Sequence, residues 1–292
     1  MSNEGGPILV LAAFPGELAA LLAHAQVTEE IPLGALVLRP ATLGGVPVVV
    51  GMTGIGLANA SRTTREAVRL FTPRGIVMAG VAGSPHRIGD VTVPEAWQLA
   101  GEGVYPVDAA WLELARAVAA PGGVVLERCT AVPSEVASGI VCMPEPLAVW
   151  VGGVGQSSDP FVGGAPECSP DGHPVFGCDA GGASSAALGS GDARAASSAS
   201  DRAALRVAAD ATLPARPAQD DFVAVDMETA AVAQVAAEHG LRFIAFRAVS
   251  DGANDPLGLP GFPAQFFAYY PLAARNAAAA VAAFLARLGA CS

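Results

Sequence analysis

Lysine is absent from the chain, and the 16 arginines are outnumbered by 27 acidic residues, which gives a formal net charge of −11 at pH 7. A nucleic-acid groove needs a basic surface, so this composition argues against a nucleic-acid-binding protein. It does not exclude a small neutral ligand. Charged residues make up only 15% of the 292 residues and hydrophobic residues 52%, which is enough apolar material for one large domain or two small ones.

Cysteine is scarce and odd in number, with residues at Cys129, Cys142, Cys168, Cys178 and Cys291. This scattered set predicts unpaired thiols in a reducing cytoplasm rather than a disulfide framework. The N-terminal segment has no basic region ahead of its apolar run, so we expect no signal peptide. No run of about 18 apolar residues is free of glycine, proline or charge, and no membrane span is therefore expected.

Familiar catalytic and nucleotide-binding motifs are missing or incomplete. Gly-x-Ser-x-Gly does not occur, and the nearest match is centred on Ser190. The stretch Thr53-Gly54-Ile55-Gly56 has glycines that let backbone N–H groups approach an anion or a ribose oxygen. However, Asn59 stands where a dinucleotide fingerprint has its third glycine, so we do not expect a bound dinucleotide.

A Cys-His-Cys spacing occurs at Cys168, His173 and Cys178. It lacks a fourth zinc ligand unless Asp171 or Asp179 serves. The preferred interpretation is a loop with incidental cysteines, and we predict neither a metal nor another cofactor.

Short apolar runs alternate with helical patterns along most of the chain. Strands are predicted at 8–14, 33–42, 48–53, 75–83, 88–93, 122–127, 137–143 and 183–188. Helices are predicted at 15–24, 57–71, 109–119, 201–209 and 272–288, with Pro271 breaking a longer tail helix at 264–288. This alternation predicts an α/β fold with a mostly parallel sheet flanked by helices. A segment rich in glycine, proline and serine, 151–182, is predicted to be a loop or surface insertion.

Residues 222–256 combine two apolar strands with carboxylates at their ends. The first strand runs into Asp226, Met227 and Glu228, and the second ends at Ser250 and Asp251. Ligands bind at the carboxyl ends of strands in open α/β sheets. A third acid, at position 17, follows the first strand of the chain, so the three carboxylates can converge on one ligand.

Three carboxylates at one place suit the cleavage of an N-glycosidic bond. A carboxylate can accept hydrogen bonds from vicinal sugar hydroxyls, a carboxylic acid can protonate the departing base, and a second carboxylate can orient water. Spacing alone leaves another interpretation equally open, in which these acids stabilise helix N-termini. Strand alternation turns Asp226 away from Met227 and predicts a structural role for Asp226.

A series of motifs in one order resembles the nucleoside phosphorylase/nucleosidase superfamily, and most closely its methylthioadenosine/S-adenosylhomocysteine nucleosidase branch. The motifs lie at 13–17, 53–56, 80–83, 88–91, 190–192, 225–231 and 247–251. The resemblance implies a single α/β domain spanning residues 1–292, with a central mixed, partly barrel-like sheet in a three-layer architecture. It also implies a homodimer. The charge and the lack of long apolar runs, noted above, predict neither nucleic-acid nor membrane partners.

The resemblance further implies roles for individual residues. Asp251 would protonate the purine at N7 and Ser250 would orient its carboxyl group. Glu228 would bind the ribose hydroxyls, Met227 would pack on the sugar, and Glu17 would hold the attacking water. The remaining candidates share a place in the substrate site and comprise Thr53, Gly80, Val81, Ala82, Arg194, Ala195 and Arg247, the last as support for the carboxylates.

Water is the preferred nucleophile. A phosphorylase must neutralise phosphate, commonly with arginine, whereas Glu17 would repel it and no arginine occurs between Gly80 and Arg87. A phosphorylase and a nucleoside-binding protein without activity stay open as alternatives. Arg194 stands where the family usually has an aromatic residue stacked on the base. Because of Arg194 and the insertion at 151–182, the resemblance does not decide the substrate. Methylthioadenosine, S-adenosylhomocysteine and a futalosine-like purine nucleoside all stay open.

Overall fold

The computed structural model describes residues 5–34, 36–133, 139–179 and 222–291. Fifteen strands occur in this part of the chain: β1 Ile8–Ala12, β2 Ala25–Val27, β3 Ile31–Leu33, β4 Leu36–Leu43, β5 Val46–Met52, β6 Gly75–Arg87, β7 Val91–Val93, β8 Ala96–Leu99, β9 Gly103–Pro106, β10 Cys129–Ala131, β11 Ile140–Cys142, β12 Val149–Val151, β13 Val154–Ser157, β14 Ala224–Asp226 and β15 Arg242–Ala253. The helices there are α1 Pro15–Leu22, α2 Leu57–Phe71, α3 Ala109–Ala119, α4 Thr229–Glu238 and α5 Ala264–Ala290.

Thirteen of these strands form one mixed sheet. Nine of them follow the order β2-β4-β5-β1-β6-β14-β13-β8-β9, and β3, β7, β12 and β15 pair with other strands off this path. Strand β1 runs parallel to β5 and β6, and β15 runs parallel to β6. Because β6 also meets β14 at one antiparallel pair, Val225 with Gly83, three strands adjoin it. The prediction of an α/β fold with a mixed central sheet and flanking helices is confirmed.

The core is built from the central strands and from helix α5. Strand β1 is buried along its whole length, as a strand covered on both faces should be. Helix α5 is long and apolar enough to cross a membrane by length and composition, but most of it is buried within the protein. It packs mainly on β15, β6 and α1, so it is a core helix.

Helix α5 corrects the prediction that Pro271 breaks the tail helix, because it runs without interruption from Ala264 to Ala290. Proline removes one backbone N–H and crowds the preceding turn. Here Tyr269 and Leu272 on either side of it are fully buried. Their packing holds the helix together across the proline.

The irregular insertion begins later than predicted. Residues 149–151 and 154–157 form β12 and β13, and β13 lies between β14 and β8 in the main sheet. Gly152 and Gly153, both with positive φ, turn the chain between these strands, and their glycine content hides the strand signal. The strand predicted at 122–127 is also wrong, since that segment is irregular.

The prediction that the cysteines are unpaired is wrong. Cys129 is bonded to Cys142 across the β10–β11 hairpin, and Cys168 is bonded to Cys178 within the segment after β13. The free Cys291 is exposed. The cysteine count therefore gives no support for a reducing compartment.

Several other predictions agree with the structure, including the hairpin of β4 and β5 through two glycines with positive φ. Helix α3 begins after Asp108, whose side chain accepts a hydrogen bond from the Trp111 amide. The predicted strand at 183–188, the helix at 201–209, Ser190, Arg194 and Ala195 lie outside the described residues.

Candidate active site

Glu17 lies in the first turn of α1, directly after β1. Pro15 begins the helix, where its missing N–H costs nothing. The carboxylate of Glu17 accepts one hydrogen bond from the Ala13 amide and one from the Val81 amide, each at 2.7 Å. Glu17 thus joins the end of β1 to the neighbouring strand β6, and its side chain is buried.

Glu228 is the residue that precedes α4, and it too is buried. One carboxylate oxygen accepts a hydrogen bond from the Gly56 amide at 2.8 Å, and the other lies 3.2 Å from Nη2 of Arg247. Gly56 has a φ of 91°, which a residue with a side chain rarely adopts. The glycine-rich stretch after β5 therefore supplies an amide that positions Glu228.

Arg247 is the cation at the centre of this group. It lies on β15 opposite Gly80 of β6 and is 1% exposed. Its Nη2 is 2.7 Å from Asp226 Oδ2, and its Nη1 is 4.0 Å from Glu17 Oε1. With Glu228, three carboxylates surround one guanidinium, and we call these four residues the carboxylate cluster.

Asp226 belongs to this cluster through an ion pair that strand alternation did not reveal. Its carboxylate also accepts hydrogen bonds from the Ser157 and Thr229 hydroxyls and from two amides at the start of α4. Pairing with Arg247 depends on β14 and β15 both adjoining β6. That contact between strands distant in sequence cannot be read from a single strand pattern.

Asp251 and Ser250 lie where β15 becomes irregular. The register of β15 on β6 shifts between Val249 and Asp251, and Asp251 is level with Gly83. Ser250 Oγ donates a hydrogen bond to Asp251 Oδ1 at 2.9 Å, and the Asp251 residue is 3% exposed. Because Val225 is also level with Gly83, the ends of β14 and β15 meet at one place on β6.

Gly80 is a point on β6 at which a side chain would collide with the carboxylate cluster. A Cβ there would lie 2.2 Å from Arg247 Nη1 and 2.3 Å from Glu17 Oε1. Val81 and Ala82 follow it and are buried, whereas Met227 is partly exposed. The structure therefore brings the predicted residues of β6, β14 and β15 together.

Thr53 directly follows β5, and its hydroxyl is hydrogen-bonded to the backbone rather than exposed. Its amide donates to the Ala12 carbonyl, and its Oγ1 donates to the Gly54 carbonyl at 2.8 Å. Thr53 is buried, and it links the ends of β5 and β1.

Burial in the carboxylate cluster raises the pKa of two of its acids, Glu17 and Glu228. Burial is the main cause that raises the pKa of Glu17, and Arg247 only partly offsets it. Burial, followed by the charge of Asp226, raises the pKa of Glu228 to about 8. The cluster is therefore able to hold a proton near neutral pH, as acid–base chemistry requires.

The Cys-His-Cys spacing does not form a metal site. Cys168 and Cys178 are bonded to each other, and Nδ1 of His173 accepts hydrogen bonds from the Val175 and Phe176 amides. Among the described residues, no group of three or more histidine, cysteine or acidic side chains is arranged to hold a metal ion.

Comparison with known proteins places this arrangement in a family. The chain is 35% identical to an uncharacterized protein of Mycobacterium tuberculosis over 190 residues, which is 58% of this chain and 74% of that protein. A second, shorter uncharacterized protein of the same organism is 58% identical over 64 residues, 22% of this chain and 86% of that protein.

Solved structures share the fold at low sequence identity. The Neisseria meningitidis 5′-methylthioadenosine/S-adenosylhomocysteine nucleosidase in complex with methylthio-immucillin-A matches with a TM-score of 0.61 and 19% identity, covering 97% of this chain and 99% of that one. The futalosine hydrolase of Helicobacter pylori matches with a TM-score of 0.60 and 19% identity, covering 96% and 97%. The sequence model of the phosphorylase superfamily matches residues 7–143 and 189–286, and the chain belongs to that superfamily.

Proposed function

We propose that the protein hydrolyses the N-glycosidic bond of a purine nucleoside and releases the free base and the sugar. The observation that carries this proposal is the convergence of Glu17, Glu228 and Asp251, three buried acids that lie on or just after β1, β14 and β15, the strands that pair with β6. The membership of the superfamily supports it. Methylthioadenosine, S-adenosylhomocysteine and futalosine-like nucleosides are the candidate substrates, and a homodimer is the proposed assembly.

The sugar is assigned to Glu228 and Met227. Glu228 is fixed by the Gly56 amide and by Arg247, yet the two oxygens of its carboxyl group have about four lone-pair directions and retain capacity for hydrogen bonds with vicinal hydroxyls. Met227 is the partly exposed neighbour, and its thioether can pack on the sugar ring.

The base is assigned to Asp251. A purine leaves as a poor anion, so a proton delivered to N7 lowers the barrier to cleavage. The hydroxyl of Ser250 donates a hydrogen bond to one oxygen of Asp251 and so orients the carboxyl group. Gly80, Val81 and Ala82 on β6 border the space between this acid and the sugar.

The attacking water is assigned to Glu17. Its Oε1 and Nη1 of Arg247 are 4.0 Å apart, a separation that one water molecule can bridge with hydrogen bonds to both. In the reaction the water oxygen bonds to C1′ and the C1′–N9 bond breaks. The base keeps the bonding electrons and gains a proton at N7 from Asp251, and Glu17 accepts a proton from the water.

Phosphate fits this arrangement poorly as the nucleophile. A phosphorylase needs a cation that is available for phosphate, whereas Arg247 is already surrounded by Asp226, Glu228 and Glu17. The nearest carboxylate would also repel the anion. Water requires no such cation.

The test follows free base in phosphate-free buffer with a panel of purine nucleosides that differ in base and 5′ group. The wild-type protein should release base from at least one of them. Asp251→Asn should lower kcat by roughly 100-fold or more, because general-acid catalysis contributes on that order. Asp108→Asn, at the N-terminus of α3 away from the cluster, is the matched control and should keep wild-type activity. Full activity of Asp251→Asn would refute the assignment.

A further inference from the structure

The segment 158–179, here called the strap, lies against the same strand ends as the carboxylate cluster. The Gly16 amide donates to the Pro174 carbonyl at 2.7 Å, next to Glu17. The Asn59 side chain donates to the Pro166 carbonyl at 2.8 Å, in the turn of α2 that follows Gly56. The strap therefore spans the loops after β1 and β5, both of which position cluster residues.

The strap is fixed at its far end by covalent and ionic contacts. Cys168 is bonded to Cys178, and the adjacent Asp179 forms a two-point ion pair with Arg39 of β4 at 2.7 Å for both contacts. The two charged side chains are 6% and 5% exposed, and their geometry is of the paired type that is strong in proteins. The strap is therefore held in place by one disulfide bond and one buried ion pair.

Phe161 is the aromatic residue that the strap places beside the site. A Cβ on Gly56 would lie 3.0 Å from Phe161 Cδ2, so the ring contacts the residue whose amide holds Glu228. Asp159 fixes this turn by accepting hydrogen bonds from the Phe161 and Gly163 amides. The Phe161 side chain stays partly exposed and can still cover a ligand.

The direction in which a nucleoside would lie follows from the strand order. Strands β5, β1 and β6 are successive neighbours, and β15 with Asp251 adjoins β6. The strap lies on the β5 and β1 side. With the base assigned to Asp251 and the sugar hydroxyls to Glu228, whose carboxyl group the Gly56 amide holds, the C5′ end of the sugar is assigned to the side of the strap.

Resting on the proposed function, we propose that the strap forms the wall for the 5′ substituent and that Phe161 determines specificity for an apolar group there. Phe161 and Pro166 present apolar atoms beside Gly56, and burying an apolar substituent against them is favourable, whereas a 5′-hydroxyl gains nothing. The superfamily model leaves 144–188 unmatched, and the strap lies within that range.

The test compares 5′-methylthioadenosine with adenosine, or the corresponding inosine pair if the panel shows a preference for a 6-oxopurine. Phe161→Ala should raise KM for the methylthio compound roughly tenfold and KM for the 5′-hydroxy compound less than about twofold, with kcat nearly unchanged. Phe161→Leu should fall between. Val162→Ala is the control, since Val162 is 93% exposed, and it should change neither value. Equal changes for both nucleosides, or none, would overturn the assignment.

Binding separates this inference from the proposed function. Calorimetric dissociation constants in the Asp251→Asn background should show the same discrimination by Phe161. If the wild-type protein cleaves nothing but Phe161 still selects the methylthio compound, the proposed function fails and the strap assignment stands. If cleavage occurs and Phe161→Ala keeps the wild-type KM ratio, only the strap assignment fails. Absence of binding to both compounds would overturn both.

Discussion

The carboxylate cluster and the strap adjoin each other but are held in different ways. In the cluster, Arg247 lies within β15, its three acids lie at or just after the ends of β1 and β14, and adjacent strands fix each position. In the strap, one disulfide, one ion pair and a few backbone hydrogen bonds do the same work. Chemistry that needs fixed geometry is thus built on the sheet, and the part that faces the variable end of a substrate is built on a loop.

Replacing the buried arginine that pairs with the acids of each region should have the largest effect on stability and should show most clearly how the two regions differ. Arg247→Met leaves three buried carboxylates without their cation and should lower the free energy of unfolding by about 3–5 kcal/mol. Arg39→Met leaves Asp179, which can reach water when the strap loosens, and should cost less. Urea unfolding followed by tryptophan fluorescence measures both. Equal losses would show that the strap is as integral to the fold as the cluster.

Removing each disulfide in its own variant should show which of the two affects substrate binding as well as stability. The disulfides link residues 10 and 13 positions apart, so each double Cys→Ser variant should lose at most about 3 kcal/mol by the chain-entropy account. Loss of Cys168–Cys178 should also raise KM for the methylthio nucleoside. Loss of Cys129–Cys142 should leave KM unchanged. If the hairpin variant shifts KM as much as the strap variant, the strap has no special role in binding.

Adding one methyl group at Gly80 should disturb the cluster without touching the strap. Gly80→Ala places a Cβ on Arg247 Nη1 and Glu17 Oε1, and such overpacking costs about 1–3 kcal/mol. Activity should fall with stability, because the two displaced groups are assigned to the water. Gly5→Ala, where nothing lies within 4 Å, is the control. A Gly80→Ala protein with wild-type melting temperature and activity would contradict the packing described here.

The last effect expected is a change in how stability depends on pH. Burial raises the pKa of Glu228 from its ordinary 4.5 to about 8, so the folded protein binds more protons than the unfolded chain between these values. Its contribution to stability is fully present below pH 4.5 and is lost as pH rises through 8. Glu228→Gln removes this loss, so its melting temperature should fall less than that of the wild type between pH 5 and 8. Parallel curves would contradict the raised pKa.

The cluster was predictable from sequence because strand ends and short motifs are local signals. Glu17, Glu228 and Asp251 lie at or just after the ends of apolar runs, and the structure pairs all three of those runs with β6. The ion pair between Asp226 and Arg247 could not be predicted, because it depends on which strands are neighbours. Asp226 alternates away from Met227 within its strand but reaches a different strand.

The strap was not predictable in the same way. Its cysteines are few and lie in a segment without periodicity, so their pairing depends on chain reversal that no local pattern records. The contact between Arg39 and Asp179 joins residues 140 positions apart. The strands β12 and β13 were not predicted because two glycines lie between them. The break predicted at Pro271 does not occur because burial of α5 stabilises the helix across the proline.

Isotope labelling of the released sugar tests the central claim, that water and not phosphate is the nucleophile that attacks C1′. The wild-type protein is incubated with its best nucleoside in water enriched in oxygen-18, with and without phosphate, and the products are analysed by mass spectrometry at short times, against a control for exchange of the free sugar. We predict one labelled oxygen at C1 of the sugar and equal rates of base release in both buffers. Formation of a sugar 1-phosphate, or turnover only when phosphate is present, would contradict the account.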